Sequence, residues 1–229
     1  MRYEFLVLSL LFSVPGVIIW ALRRDLRPVI HRMILASLPF ALTEWLFYPE
    51  YWSPRFLFDL VSVIGFGVED LIFVAGLGAF TSTAYAFVSR RRYGPLPVTE
   101  GGALRRAGSL CAAALLITGL LLAAGVAMIF ATVLAMAAMV GWMLASRRDL
   151  AVPALSGGVL AVLVYGAICL AFAAIIPGVF QRIWHTEGLW NRFFLGVPLE
   201  ELAYGFLAGA AATAFYPYAF GRAFQRPSH

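Results

Sequence analysis

Four carboxylates stand in two adjacent pairs within or beside apolar sequence, Glu69-Asp70 and Glu200-Glu201, and Glu44 lies inside another apolar stretch. A charge at bilayer depth costs on the order of a few kcal/mol, so such residues need a reason. Two carboxyls in a dry cavity cannot both ionise cheaply, so one stays protonated at neutral pH and can hand its proton to a weak base. A structural alternative is equally physical. Pro198 is a good first helical residue, and carboxylates in a first turn are favoured by the helix dipole and cap free N–H groups. That accounts for Glu200-Glu201, but Glu69-Asp70 has no proline ahead of it. Glu44 neighbours an aromatic cluster of Trp45, Phe47, Tyr48, Tyr51 and Trp52, from which it can snorkel to the interface.

The elements that must position these groups are membrane helices. Of 229 residues, 62% are hydrophobic and 13% charged, and the mean hydropathy is +0.86. A soluble domain of this length could not hide so much apolar surface. Hydrocarbon offers no partner to unpaired backbone groups, so spanning segments are helices or closed barrels, and long continuous apolar runs select helices. Runs of roughly 20 apolar residues fall at Phe5–Leu22, Met33–Tyr48, Gly67–Val88, Ala107–Val126, Met128–Ser146, Ala154–Pro177 and Phe193–Tyr216. The expected fold is therefore an all-α membrane protein with about seven transmembrane helices. The first run reads as a retained span, because no small-residue cleavage site follows it.

All 17 basic residues are arginines. Arg23, Arg24, Arg27, Arg32, Arg90, Arg91, Arg92, Arg105, Arg106, Arg147, Arg148, Arg222 and Arg226 fall on one side of a seven-span topology, and only Arg2, Arg55, Arg182 and Arg192 on the other. The positive-inside rule then puts the N-terminus outside and the C-terminus in the cytoplasm, as a multi-pass protein of the plasma or inner membrane. The net charge of +5 is explained by topology and contact with anionic headgroups, and calls for no nucleic-acid partner. Cys111 and Cys169 sit in apolar runs and read as packing residues. His31, His185 and His229 are scattered, so no metal site is expected.

The carboxylate pairs belong to an internal repeat. Gly65-Phe66-Gly67-Val68-Glu69-Asp70-Leu71-Ile72-Phe73 aligns without gaps onto Gly196-Val197-Pro198-Leu199-Glu200-Glu201-Leu202-Ala203-Tyr204. Further matches put Gly78-Ala79 on Gly209-Ala210 and Tyr85 on Tyr216, and Trp52-Ser53-Pro54-Arg55-Phe56 resembles Trp190-Asn191-Arg192-Phe193. The matched segments end in odd-numbered spans, so the repeats are parallel. This divides the chain into a first three-helix repeat (1–92), a linker with a connecting helix (93–127) opening on Tyr93-Gly94-Pro95-Leu96-Pro97, and a second three-helix repeat (128–229). Small residues four apart, Ala75 with Ala79 and Gly205 with Gly209, suggest that the third and seventh spans pack centrally, with their carboxylates facing each other or a shared cavity.

The pattern Gly-Val-Pro-Leu-Glu-Glu-Leu at 196–202, with its echo Gly-Phe-Gly-Val-Glu-Asp-Leu at 65–71, resembles the P-x-E-[ED] signature of the lycopene cyclase domain family. These are small integral membrane carotenoid cyclases, found as two subunits or as one fused chain. The resemblance is to the fused form, which implies no obligate sister subunit. It implies a lycopene β-cyclase of isomerase type: an acid protonates the terminal isopropylidene of the polyene, the neighbouring double bond attacks the cation, and proton loss leaves a β-type ring. Glu200 and Glu201 would be catalytic by the motif, and Glu69 and Asp70 by the repeat. No cofactor is implied, and no G-x-G-x-x-G nucleotide site follows a strand here. Gly67 departs from the family's proline. Glu44, Phe73, Tyr204 and Trp190, with the repeat-matched Arg55 and Arg192, are candidate substrate contacts, since aromatic faces turned inward would surround a developing carbocation. The partner would be a lipid-dissolved carotenoid or other isoprenoid. A cyclase or hydratase of a different isoprenoid, or a carrier or carotenoid-binding protein whose carboxylates relay protons, are the alternative readings. The segment 56–66, broken near Gly65 and Gly67, could form a re-entrant turn serving either an active site or a pore.

Overall fold

The computed structural model describes residues 3–96 and 102–226. Arg2, Pro97 and His229, used in the sequence reading, lie outside the described residues. Eleven α-helices occur among those described: α1 Glu4–Leu22, α2 Arg27–Ser37, α3 Glu44–Phe47, α4 Val61–Ile64, α5 Val68–Thr81, α6 Ala84–Val88, α7 Ala103–Ala123, α8 Met128–Ser146, α9 Ala151–Ile175, α10 Val179–Ile183 and α11 Leu199–Ala219. Four short strands, β1 Arg92–Pro95, β2 Phe193–Phe194, β3 Val197–Pro198 and β4 Arg222–Gln225, form two antiparallel pairs, β1 with β4 and β2 with β3.

Among the described residues, five helical segments are long and apolar enough to cross a membrane: Glu4–Leu22, Val68–Val88, Ala103–Ala123, Met128–Ser146 and Arg148–Ile175. The other two expected spans depart from simple apolar helices for visible reasons. In Met33–Tyr48, Pro39 cannot continue the α-helical ladder, and a 3-10 turn over Leu38–Thr43 separates α2 from α3. The seventh starts later than its apolar run: Phe193–Phe194 is extended, and α11 begins at Leu199 with Glu200 and Glu201 in its first turn. The segment before α5 contains a 3-10 turn at Leu57–Asp59, the short α4, and a left-handed Gly65.

Two helical clusters form the body. α5 packs between α1 and α2, and α11 between α8 and α9, while α7 rests on α8 and the edge of α11. Small residues allow the closest approaches. A Cβ on Gly76 of α5 would lie 2.8 Å from the Ser13 backbone nitrogen of α1. One on Gly209 of α11 would lie 2.1 Å from the Ala161 Cβ of α9. The small faces of α5 and α11 are thus turned to α1 and α9, where Ala79 meets Gly16 and Gly205 meets Tyr165.

A feature absent from the repeat alignment above also orders the fold. Arg-Arg-Asp-Leu occurs at 23–26, after α1, and at 147–150, after α8. Both form a 3-10 turn with a fully buried leucine. In each, the leading arginine forks onto the aspartate and onto a distant carbonyl: Arg23 to Asp25 and to Arg91 O at 2.7 Å, Arg147 to Asp149 and to Arg222 O at 3.1 Å. Arg91 and Arg222 sit at or beside β1 and β4, so these forks fasten the paired strands to the ends of α1 and α8. At the opposite end, Trp52 and Trp184 form an isolated antiparallel bridge, with His185 N donating to Tyr51 O and Ser53 N to Ile183 O. Their indoles meet at 5.1 Å.

Candidate active site

The Trp52–Trp184 junction lies at the end of the molecule where α5 and α11 begin, and it brings the carboxylates together. The two members of each pair behave differently. Glu69 is fully buried, and its Oε1 accepts the Leu57 N–H. Glu200 is equally buried, and its Oε1 accepts the Trp190 N–H at 2.8 Å. In both, Oε2 has no hydrogen-bond partner among the described residues. Each therefore pins the loop that leads into its own helix.

Asp70 and Glu201 face a common cavity of about 340 Å³. Asp70 accepts the Gly67 N–H at 2.7 Å, closing a capping contact in the first turn of α5. Buried Glu44 lines the same cavity, as does Trp52. Two carboxyls buried in one apolar cavity cannot both ionise cheaply. Glu44 Oε1 keeps no partner among the described residues.

Glu201 has different surroundings. Its Oε1 accepts Tyr51 OH at 2.6 Å and Trp184 Nε1 at 2.9 Å, and its Oε2 accepts Tyr165 OH. The proline at 198 has no N–H to offer, so Glu201 is not drawn into a capping contact like that of Asp70. Three donors from three separate elements instead fix its carboxylate at the cavity wall.

Aromatic rings make up much of the remaining wall at this end: Phe5, Phe73, Tyr165, Trp52, Trp184 and Tyr204 line it. Phe73 meets Phe12 edge-on at 4.9 Å, and Tyr165 meets the same ring at 4.7 Å. These contacts fix the ring orientations.

Of the residues singled out from sequence, Asp70, Glu201, Glu44, Phe73 and Tyr204 line the cavity. Glu69 and Glu200 sit behind it, on loop backbone. Trp190 is 53% exposed, against Phe130. Arg192 is exposed. Arg55 borders a separate, shallow polar basin with Ser53 and Arg182. Tyr165 and Trp184 were not singled out. Tyr165 carried a signal, since it is the sole tyrosine of α9. Trp184 carried none apart from being a tryptophan near the chain's second aromatic loop.

Apolar helices of membrane-spanning length around a buried carboxyl cluster that opens on an aromatic cavity define a helical membrane protein. Residues 126–219 match the family model for lycopene cyclase, which supports a place in the lycopene cyclase domain family and a carotenoid cyclase activity. That stretch runs from just before α8 to the end of α11 and contains Tyr165, Trp184, Glu200 and Glu201. No curated protein and no solved structure matches the chain.

Proposed function

We propose that this protein closes the end group of a lycopene-type polyene by acid catalysis, as an isomerase with no net redox change and no cofactor. The observation that carries this reading is the meeting of two kinds of carboxyl in one apolar cavity: Glu44 and Asp70, buried together with no cation beside them among the described residues, and Glu201, held by three donors.

In this reading the Glu44–Asp70 pair supplies the proton to the terminal carbon–carbon double bond, leaving a tertiary cation. The neighbouring double bond attacks it, forming the ring carbon–carbon bond and moving the positive charge into the ring. Loss of a ring proton then regenerates a double bond, so the atoms of substrate and product balance. Glu201 stabilises the cation by charge and accepts that proton, directly or through its tyrosine partners. Phe73, Tyr204 and the Trp52–Trp184 pair present π faces to the charge. The mainly apolar lining disfavours water, which would otherwise capture the cation as an alcohol. Seven spans with the site near the outer face, built as two parallel repeats in a plasma or inner membrane, complete the proposal.

The test is pigment chromatography of a lycopene-accumulating bacterial host expressing the natural sequence, Asp70→Asn, Glu44→Gln or Glu201→Gln, with membrane levels matched. Cyclic carotenoids from the natural sequence, lost in Asp70→Asn and Glu201→Gln, are expected. Untouched lycopene in cells with abundant folded protein rejects lycopene as the substrate.

A further inference from the structure

The cavity does not end at the carboxylates. From Met128 and Glu201 it continues along α8 to Met143 and along α11 to Phe215. At 1.5 Å per residue, the α8 wall from Met128 to Met143 is about 22 Å long, a large part of a hydrocarbon core of about 30 Å.

Its position follows from a difference between two helix interfaces. The two Arg-Arg-Asp-Leu turns set α1 in register with α8, and α2 with α9. Phe12 and Met136 stand equally far before their turns, and Ala41 and Tyr165 equally far after them. Between α1 and α9, the large pair Phe12 and Tyr165 meets ring to ring at 4.7 Å and closes the space. Between α8 and the 3-10 turn that follows α2, the small Ala41 and flexible Met136 leave it open, and both line the cavity. Every methionine after Met1 lies on this wall: Met33, Met128, Met136, Met139 and Met143. Thioethers on unbranched chains adapt to irregular apolar shapes and make favourable contacts with π systems.

We propose that this groove between α2, α7, α8 and α11 holds the chain of an extended conjugated polyene. One end group sits among Glu44, Asp70 and Glu201, and the rest of the molecule runs toward Met143 and Phe215. The proposal rests on the cyclase reading for the end group and adds the path of the chain. The site is then single-ended, and a second end group is cyclised only after release and rebinding.

Blocking the far part of the groove separates the two ideas. Ala212, eleven residues along α11 from Glu201, and Ala114, midway along α7, line it from two different helices. Ala212→Trp and Ala114→Trp are each assayed in detergent with lycopene and with an acyclic apocarotenoid that keeps one isopropylidene end but only half the chain. Both variants are expected to lower kcat/KM for lycopene about tenfold or more, the size of an overpacking penalty. The short substrate should change by less than about threefold, and its turnover shows that each variant is folded. Equal effects on both substrates, or no effect on lycopene in either variant, overturn the groove. If the natural protein cyclises neither substrate, the cyclase reading fails by itself. The groove is then decided by polyene absorption on titration into purified protein: binding weakened about tenfold or more in both variants supports it, and unchanged binding overturns it.

Discussion

Asp70 accepts the Gly67 N–H at 2.7 Å, and this contact separates the first half of the site from the second, where Pro198 has no N–H and Glu201 turns to Tyr51, Tyr165 and Trp184. Replacing Gly67 with proline, the residue at the matched position 198, does not simply reproduce the second half. A Cβ there would lie 2.6 Å from the Phe56 ring and 2.7 Å from Glu69 Oε2, and the local φ of −106° is far from the proline range of about −65°. Gly67→Pro is expected to destabilise the protein by about 1–3 kcal/mol, measured as a lowered thermal midpoint in detergent. Gly67→Ala should lose part of the same amount, since it keeps the N–H but meets Phe56.

The adjacent glutamates of α11 should separate in function. Glu201→Gln removes the charge at the cavity and is expected to lower turnover by about 100-fold or more. Glu200→Gln keeps an oxygen to accept the Trp190 N–H and should stay within about tenfold of the natural rate. Glu200→Ala orphans that N–H and should cost about 1–3 kcal/mol in stability. Matched turnover and melting measurements on the three variants check this. An inactive, fully stable Glu200→Gln would return Glu200 to the catalytic role that the motif alone implied.

How much of this was legible in the sequence varies by residue. The spanning segments were legible because hydrocarbon thickness imposes a length and a composition on them. The carboxylate doublets were legible because charge in such runs is rare. Which member of a doublet faces the cavity was not, because successive first-turn residues point about 100° apart around a helix, and the phase depends on Leu57 and Trp190, which lie outside the motif. The donors to Glu201 come from three other elements, so no local spacing announces them. The break of the second expected span is legible in Pro39, whose missing N–H interrupts the ladder although the hydropathy of the run stays high. The repeated Arg-Arg-Asp-Leu turn is also present in the sequence, but the carbonyls its arginines hold lie 68 and 75 residues away, so charge pattern alone shows only topology.

Tyr165 is the group that most directly links α9 to the chemistry. Tyr165→Phe keeps the ring packed on Phe12 and removes one of the three donors to Glu201. A hydrogen bond to a charged group contributes about 1.5–3 kcal/mol, so turnover should fall by roughly tenfold to 150-fold with little change in melting. Trp184→Phe should have a smaller effect on turnover and a larger one on stability, because its ring also packs on Trp52 and Phe180. A double-mutant cycle between Tyr165→Phe and Glu201→Gln checks that both act through one contact. Additive losses would mean that the phenol works on the substrate independently.

The turn at the far end of the fold, at residues 23–26, makes stability depend on pH. The Arg23 guanidinium holds the Asp25 carboxyl below its usual range, against the opposing effect of partial burial. A carboxyl depressed in the folded state stabilises the protein above its unfolded pKa of about 3.9, and that stability is lost as pH falls through the lower folded value. The thermal midpoint in detergent should therefore drop as pH is lowered below about 4, and Asp25→Asn should remove part of that drop. The pair is partly exposed, at 20% for Arg23 and 30% for Asp25, which limits its contribution to about 1 kcal/mol or less. Arg23→Met should cost more than Asp25→Asn at neutral pH, because it also deprives the Ala86 and Arg91 carbonyls of a donor. If the two variants melt alike, the fork to the Arg91 carbonyl contributes nothing, and β1 is held by its pairing with β4 instead.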